Sequence, residues 1–281
     1  MAQYVVTDTE LSSVADAIRT KGGTSAQLAF PAEFVSAIED IETGGGGYTA
    51  DEIVSSTGIS GTFTITATSV RRYALAYCDG ITEIVAPNLT SLSPYCFSWM
   101  AGLTRVSLPA LTEGGTKVLL GNPNLVTVSL PALTTIRGDQ FIEGAGLEHL
   151  VLPSFTGNIY TNSLRFNKKL LSVDVGAATN IWSNAFSGCS VLSALIIRGN
   201  SLTALGAVNV FANTPFASGG TGGTLYVPAD MISSYQAATN WSTILGYADN
   251  QIKSIESTHT DPNAPIDLTL YYADGTPIPT T

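Results

Sequence analysis

Residues 103–109 read Leu-Thr-Arg-Val-Ser-Leu-Pro, residues 125–131 Leu-Val-Thr-Val-Ser-Leu-Pro and residues 147–153 Leu-Glu-His-Leu-Val-Leu-Pro. The same phrase begins at Ile81, Leu103, Leu125, Leu147, Leu170 and Leu192, at intervals of 22, 22, 22, 23 and 22 residues. Its fourth place holds Ile84, Val106, Val128, Leu150, Val173 and Leu195, and its sixth Ala86, Leu108, Leu130, Leu152, Val175 and Ile197. Apolar residues two apart line one face of a strand. Pro87, Pro109, Pro131 and Pro153 follow, with Gly176 and Arg198 in the last two copies. Proline cannot donate to a ladder and so ends the strand. A fixed period in this range means a stack of units, each burying its apolar side only against its neighbours. The expected fold is therefore a repeat solenoid, mainly β, with short return turns or helices. Such a stack offers an extended surface and no closed pocket, which points away from an enzyme.

The return half of each repeat has its own mark. Places 11 and 16 residues after the first give Leu92 and Phe97, Ile136 and Phe141, and Ile181 and Phe186. These rings are expected to pack under the next strand. A one-residue insertion moves the slot from Ser163 to Leu164, and Glu113-Gly114-Gly115 replaces the apolar slot of the 103–124 repeat, where a local distortion is expected. Cys78, Met100 and Cys189 share one place in the period, which reads as buried packing and not a reactive thiol. The three cysteines, with Cys96, have no metal-like or redox spacing.

The chain divides into residues 1–43, a small helical module; 44–47, a Gly linker; 48–245, the solenoid, with repeats starting near 59, 81, 103, 125, 147, 170 and 192 and a closing strand near 225; and 246–281, a C-terminal cap or tail. In the module, Thr7 and Glu10 fit a capping box, and Leu11, Val14 and Ile18 fall on one helical face. A second helix is expected after Pro31, carrying Phe34, Ile38 and Ile41. Two short helices with one apolar stripe each cannot build much core. They either dock on a partner or on other copies of the chain, or cap the solenoid. Residues 48–80 read as a degenerate first repeat, with Phe63 and Ile65 alternating with threonines. Gly199–Gly223 breaks the period before Leu225-Tyr226-Val227-Pro228 restates it; a helix from about Asp230 is expected to carry Met231, Tyr235 and Trp241, and Leu268, Leu270 and Tyr272 fit a terminal strand.

The chain is 44% hydrophobic and only 12% charged, with a net charge of −10 and a pI near 4.5. An acidic chain of this kind is a poor partner for phosphate backbones, so no nucleic-acid partner is expected. No run of residues is long and apolar enough to span a bilayer, so no membrane insertion is expected. The start, Met-Ala-Gln-Tyr-Val-Val-Thr-Asp, carries neither a basic n-region nor a long apolar h-region, so no signal peptide is expected. Export would then come by assembly, lysis or a dedicated machine. Homo-oligomerisation is left open, since no coiled-coil heptads mark it.

Ile181-Trp182-Ser183-Asn184-Ala185-Phe186-Ser187-Gly188-Cys189-Ser190-Val191-Leu192 resembles the Ile-x-x-x-Ala-Phe-x-x-Cys-x-x-Leu signature of the BspA-type leucine-rich repeat, and Arg72–Cys78 is a looser copy. The resemblance covers roughly residues 59–245. It implies a BspA-like leucine-rich-repeat solenoid and a non-enzymatic binding role. Ala17-Ile18-Arg19-x-Lys21-Gly22-Gly23-Thr24, Leu28-Ala29-Phe30-Pro31 and Phe34-Val35-x-Ala37-Ile38 are similar to an N-terminal module of phage and prophage tail proteins of gut Firmicutes. That resemblance implies a bacteriophage virion protein, of the tail or tail fibre, whose N-terminal helices hold other virion proteins. A purely architectural decoration protein and a bacterial surface adhesin are the alternatives.

Sites for chemistry are scarce. His149 and His259 lack a second ligand at zinc spacing, no nucleophile elbow, Walker loop or dinucleotide fingerprint occurs, and no converging carboxylate pair stands out. No catalytic residue, cofactor or metal is therefore expected. The outward strand places, among them His149, Ser172 and Asp174, are small and mixed and predict a shallow, solvated face. The return turns carry larger groups, Arg72, Tyr95, Trp99, Arg137, Tyr160, Arg165 and Trp182, which suit receptor binding to a host surface glycan or protein. Tyr95 and Trp182 fit half-buried packing equally well.

Overall fold

The computed structural model describes residues 60–255. Strands β1 Gly61–Thr64, β3 Ile81–Val85, β5 Arg105–Ser107 and β7 Thr127–Ser129 form one parallel sheet in chain order. β9 His149–Val151, β11 Ser172–Asp174, β13 Ala194–Ile196, β15 Thr224–Val227 and β16 Gln251–Ser254 form a second. Register follows the repeat, with Glu83 beside Arg105 beside Thr127, and His149 beside Ser172 beside Ala194. The first-place residues Ile81, Leu103, Leu125, Leu147, Leu170 and Leu192 are all fully buried. Each unit thus hides its apolar row beneath the next, as a parallel solenoid requires.

The return half is more regular than a turn. It contains two-residue parallel strands, β2 Ser69–Val70, β4 Ser91–Leu92, β6 Glu113–Gly114, β8 Thr135–Ile136, β10 Asn158–Ile159, β12 Asn180–Ile181 and β14 Ala204–Leu205, so most repeats supply two strands instead of one. Beyond these strands the backbone bonds again from repeat to repeat: Leu75 N donates to Cys96 O, Phe97 N to Val118 O, Leu119 N to Phe141 O, Ile142 N to Ser163 O and Leu164 N to Ala185 O.

This column corrects the place assigned to Phe141. The residues equivalent to Phe97 and Phe186 are Leu119, Ile142 and Leu164, while Phe141 stands level with Cys96, Val118, Ser163 and Ala185. The even spacing of Leu125 and Leu147 hides a residue gained before Phe141 and one lost before Leu147. The misplaced ring has a use. A Cβ on Gly114 would lie 2.7 Å from Phe141 Cε2, so the phenyl ring fills the volume an apolar side chain would take at Gly114. The distortion expected there is confined to a break in the second ladder, which runs β2–β4 and then restarts as β6–β8.

Buried asparagines occupy the same column as Cys78, Met100 and Cys189. Asn122 Nδ2 donates to Phe97 O and its Oδ1 accepts Met100 N, each at 2.8 Å. Asn167 does the same for Ile142 O and Ala145 N. Cys78, Cys96 and Cys189 are buried. Burial pushes the Cys96 thiol well up and that of Cys189 up to about 12.

The C-terminal end is closed by apolar bulk. The expected single helix is two, α1 Ile232–Ala237 and α2 Trp241–Leu245, because the backbone turns extended at Ala238 and left-handed at Asn240. Tyr235 and Trp241 are fully buried, Tyr235 Oη accepts Thr203 N, and Trp241 Nε1 donates to Thr203 O. Strand β16 adds a rung beyond the closing strand β15. The module at 1–43, the linker at 44–47 and the strand proposed at 268–272 lie outside the described residues.

Candidate recognition surface

Two places in the return turn take left-handed backbone in successive repeats. One is held by Tyr73, Tyr95, Lys117, Gln140, Asn162 and Asn184, the other by Tyr77, Trp99, Gly121, Gly144, Phe166 and Gly188. Glycine and asparagine are the inexpensive choices at such φ, and a bulky residue there costs about 1–2 kcal/mol. The first two repeats carry four aromatics instead. Tyr73 and Tyr95 stack at 4.8 Å, Tyr95 and Trp99 at 5.4 Å, and Tyr77 and Trp99 at 5.1 Å, with planes within 17° of parallel. Trp99 ends the row against the bare backbone of Gly121, where a Cβ would lie 2.7 Å from its Cδ1.

Two cations flank the stack. The Arg72 guanidinium sits 5.1 Å from the Tyr73 ring and 5.5 Å from that of Tyr95, and Lys117 Nζ lies 5.5 Å from the Tyr95 ring. A hydrogen bond with the Tyr95 side chain holds the Lys117 ammonium above its ordinary pKa. Tyr95 and Trp99 are half-buried, whereas Tyr77 is 62% exposed.

Arg72, Tyr95 and Trp99 are thus brought together, and Tyr73, Tyr77 and Lys117 complete the cluster. These three were readable from spacing, since Tyr73, Tyr95 and Lys117 are 22 apart, as are Tyr77 and Trp99. Arg137, Tyr160 and Trp182 form a separate exposed column just after β8, β10 and β12. Arg137 pairs with Glu113, and the Trp182 ring lies against Gly206. Arg165 belongs to neither group: its Nη2 donates to Glu143 Oε1 at 2.8 Å and its guanidinium covers Phe166. The proposed docking residues Leu11, Val14, Ile18, Phe34, Ile38 and Ile41 lie outside the described residues.

The strand face departs from expectation. Ser172 and Asp174 are buried, because His149 Nδ1 lies 2.8 Å from Ser172 Oγ and Arg198 pairs over Asp174. Partial burial holds the His149 imidazole below its ordinary pKa. Strands β7 and β9 are not hydrogen-bonded to each other, and an open groove of about 400 Å³ lies at this seam, between Val126–Pro131 and Glu148, His149, Val151 and Pro153.

Charge is unevenly placed. Residues 60–255 hold ten Lys and Arg against nine Asp and Glu, so the acidic excess of the chain lies entirely in residues 1–59 and 256–281. Among the described residues Glu83, Glu113, Glu143 and Asp174 each pair with an arginine of the following repeat. No group of three or more His, Cys, Asp or Glu gathers to hold a metal among the described residues, and no helix among them is long and apolar enough to cross a membrane.

Six copies of the BspA type leucine rich repeat region match residues 68–193 and 121–216, a little over half of the chain. No curated protein matches in sequence. Among solved structures, a leucine-rich repeat protein from Bacteroides ovatus ATCC 8483 has a TM-score of 0.46 at 14% identity, over 69% of this chain and 60% of its own length. The T. pallidum leucine rich repeat protein has a TM-score of 0.44 at 22% identity, over 52% of this chain and 73% of its own. A leucine rich cell surface protein from Faecalibacterium prausnitzii A2-165 has a TM-score of 0.35 at 13% identity, over 71% and 80%.

Proposed function

The chain belongs to the BspA-type leucine-rich repeat family, and from that membership and the turn surface we propose a non-enzymatic recognition protein that binds a host-cell surface glycan or protein. The aromatic and cationic cluster of Arg72, Tyr73, Tyr77, Tyr95, Trp99 and Lys117 carries this reading. It puts four aromatic residues at left-handed backbone positions that the following repeats fill mostly with glycine or asparagine, Lys117, Gln140 and Phe166 being the exceptions. In this reading residues 1–43 fasten the chain to other virion proteins of a phage tail, residues 44–47 act as the joint and the solenoid is displayed to the host. A bacterial cell surface is the alternative carrier, favoured if the gene lies outside any phage cluster.

The test is binding of the labelled full chain to cells of candidate hosts, with soluble wall glycan as competitor. Saturable, competed binding supports recognition; no binding by the folded protein rejects it. A second reading, a purely architectural virion protein, draws on the way the rings stack on one another and the ion pairs run between repeats, so that surface groups stiffen the rod. It expects virions lacking residues 48–281 to keep their host range.

A further inference from the structure

We propose that the turn cluster at residues 71–117 is a binding site for an anionic extended polymer, namely a glycan or glycopolymer carrying carboxylate or phosphate at short intervals. This rests on the recognition reading and names its ligand class. The rings of Tyr95 and Trp99 meet neighbouring rings on their faces, with interplanar angles of 11–17°, so those faces are occupied by the stack itself. Stacking of this kind covers ring faces and leaves ring edges, and on the tyrosines the phenol hydroxyl, outside the stack. An aromatic edge is the positive part of its quadrupole, and a phenol is a donor.

The cations reinforce that sign. Arg71, Arg72 and Lys117 form no ion pair among the described residues, although four other arginines do. The carboxylates nearby have other partners: Asp79 accepts Ala101 N, Glu83 pairs with Arg105, Glu113 with Arg137, and Glu143 with Arg165. Asp139 and Glu143 draw on Lys117 through space. Arg72 and Lys117 are held over rings, which orders their side chains before a ligand arrives and lowers the entropy lost on binding.

From one repeat to the next the rings step by 4.8 Å (Tyr73 to Tyr95) and 5.1 Å (Tyr77 to Trp99), and Lys117 follows in the third repeat, so a chain lying along the solenoid axis meets a donor at each of three rungs. A neutral sugar that binds by covering an aromatic face finds the faces of Tyr95 and Trp99 already covered. A single-stranded nucleic acid, which stacks its bases on such faces, is disfavoured for the same reason.

The experiment measures binding of the full chain to immobilised polygalacturonate, poly(glycerol phosphate), neutral dextran and a single-stranded oligonucleotide, at low and high salt. Binding to either polyanion, weakening with salt and absent on dextran, is the expected result; the polymer bound shows whether carboxylate or phosphate is the preferred group. The double variant Arg72→Gln/Lys117→Gln loses affinity by about tenfold or more, while Arg105→Gln, from an arginine paired with Glu83, does not. Tyr95→Asn places the residue type of Asn162 and Asn184 at the same backbone position; it keeps the thermal midpoint and loses binding. Equal binding to dextran, tighter binding to the oligonucleotide, or polyanion binding unchanged in the double variant overturns the proposal. Host-cell binding that survives in the double variant overturns it while leaving recognition standing. Polyanion binding without cell binding does the reverse.

Discussion

Replacing Asn122 by leucine keeps the side-chain volume and removes two hydrogen bonds at once. Asn122 is fully buried, and both of its partners, Met100 N and Phe97 O, belong to fully buried residues. Neither group has another partner among the backbone bonds between repeats, and the leucine side chain offers none. An unsatisfied buried backbone group costs about 1–3 kcal/mol, so the pair costs about 4 kcal/mol, against a total stability of about 5–15 kcal/mol for an ordinary domain. Cysteine should be milder. Cys189, in the same column, donates its Sγ–H to Leu164 O at 3.1 Å, and its sulfur takes a backbone hydrogen bond from Asn167, the equivalent of Met100, so Asn122→Cys keeps a bond to Phe97 O and a weak one at Met100 N, at about half the cost or less. Urea unfolding followed by circular dichroism gives both values from the midpoint and slope. A leucine variant that loses less than about 1 kcal/mol at unchanged slope, or a cysteine variant as unstable as the leucine one, refutes the role given to the asparagine column.

Three other outcomes follow from the packing. Gly114→Ile alone drives a side chain into the Phe141 ring and costs about 1–3 kcal/mol, and Phe141→Ala alone leaves a cavity worth about 3–5 kcal/mol. The double variant restores the pattern seen at Ile159 and Ala185; a double-mutant cycle should show a favourable coupling above about 1 kcal/mol, and additive costs would count against the compensation. Arg198→Ala strands the buried Asp174 carboxylate and costs about 3–5 kcal/mol by chemical denaturation, whereas Arg105→Ala, whose side chain is 57% exposed, changes stability by about 1 kcal/mol or less. Burial raises the Cys189 thiol from 9.0 to about 12. A raised folded value means the unfolded chain ionises first. This part of the stability is therefore complete below pH 9.0 and is lost as the pH rises toward about 12. Cys189→Ala should flatten that alkaline decline, measured as the urea midpoint against pH, and an unchanged slope would contradict it.

The strand rows were legible because burial acts on every copy alike: six residues in the first place of the phrase, all fully buried, leave little freedom of interpretation. The column beneath Phe97 was not legible at Phe141. Two length changes of opposite sign cancel between Leu125 and Leu147, so counting residues keeps the period while the ring moves to a neighbouring slot. The exposed threonine bonds and the buried asparagine bonds were equally hidden. Thr90, Thr134 and Thr179 recur at near-constant spacing, yet the bond each hydroxyl makes to a carbonyl of the preceding repeat exists only once the stack has formed. Nor does the pattern of outward strand places reveal that Arg198 closes over Asp174, since that contact joins residues 24 apart and needs the register first.

A repeat protein supplies its own control for function. Each backbone position is sampled several times in nearly the same surroundings, so the residues that satisfy the fold alone can be read from the copies that do nothing else. At the two left-handed places, Gly121, Gly144 and Gly188 and Asn162 and Asn184 take this backbone at least cost, while Lys117, Gln140 and Phe166 each stand there alone in their repeat. Against that standard Tyr73, Tyr77, Tyr95 and Trp99 are more expensive than necessary by about 1–2 kcal/mol each, and stacking of aromatic pairs returns only about 0.5–1.5 kcal/mol per contact. The two magnitudes nearly cancel. Stability therefore gives no reason to prefer the rings over glycine, and selection for what the rings and their two cations present to the outside is the remaining physical reason to keep them.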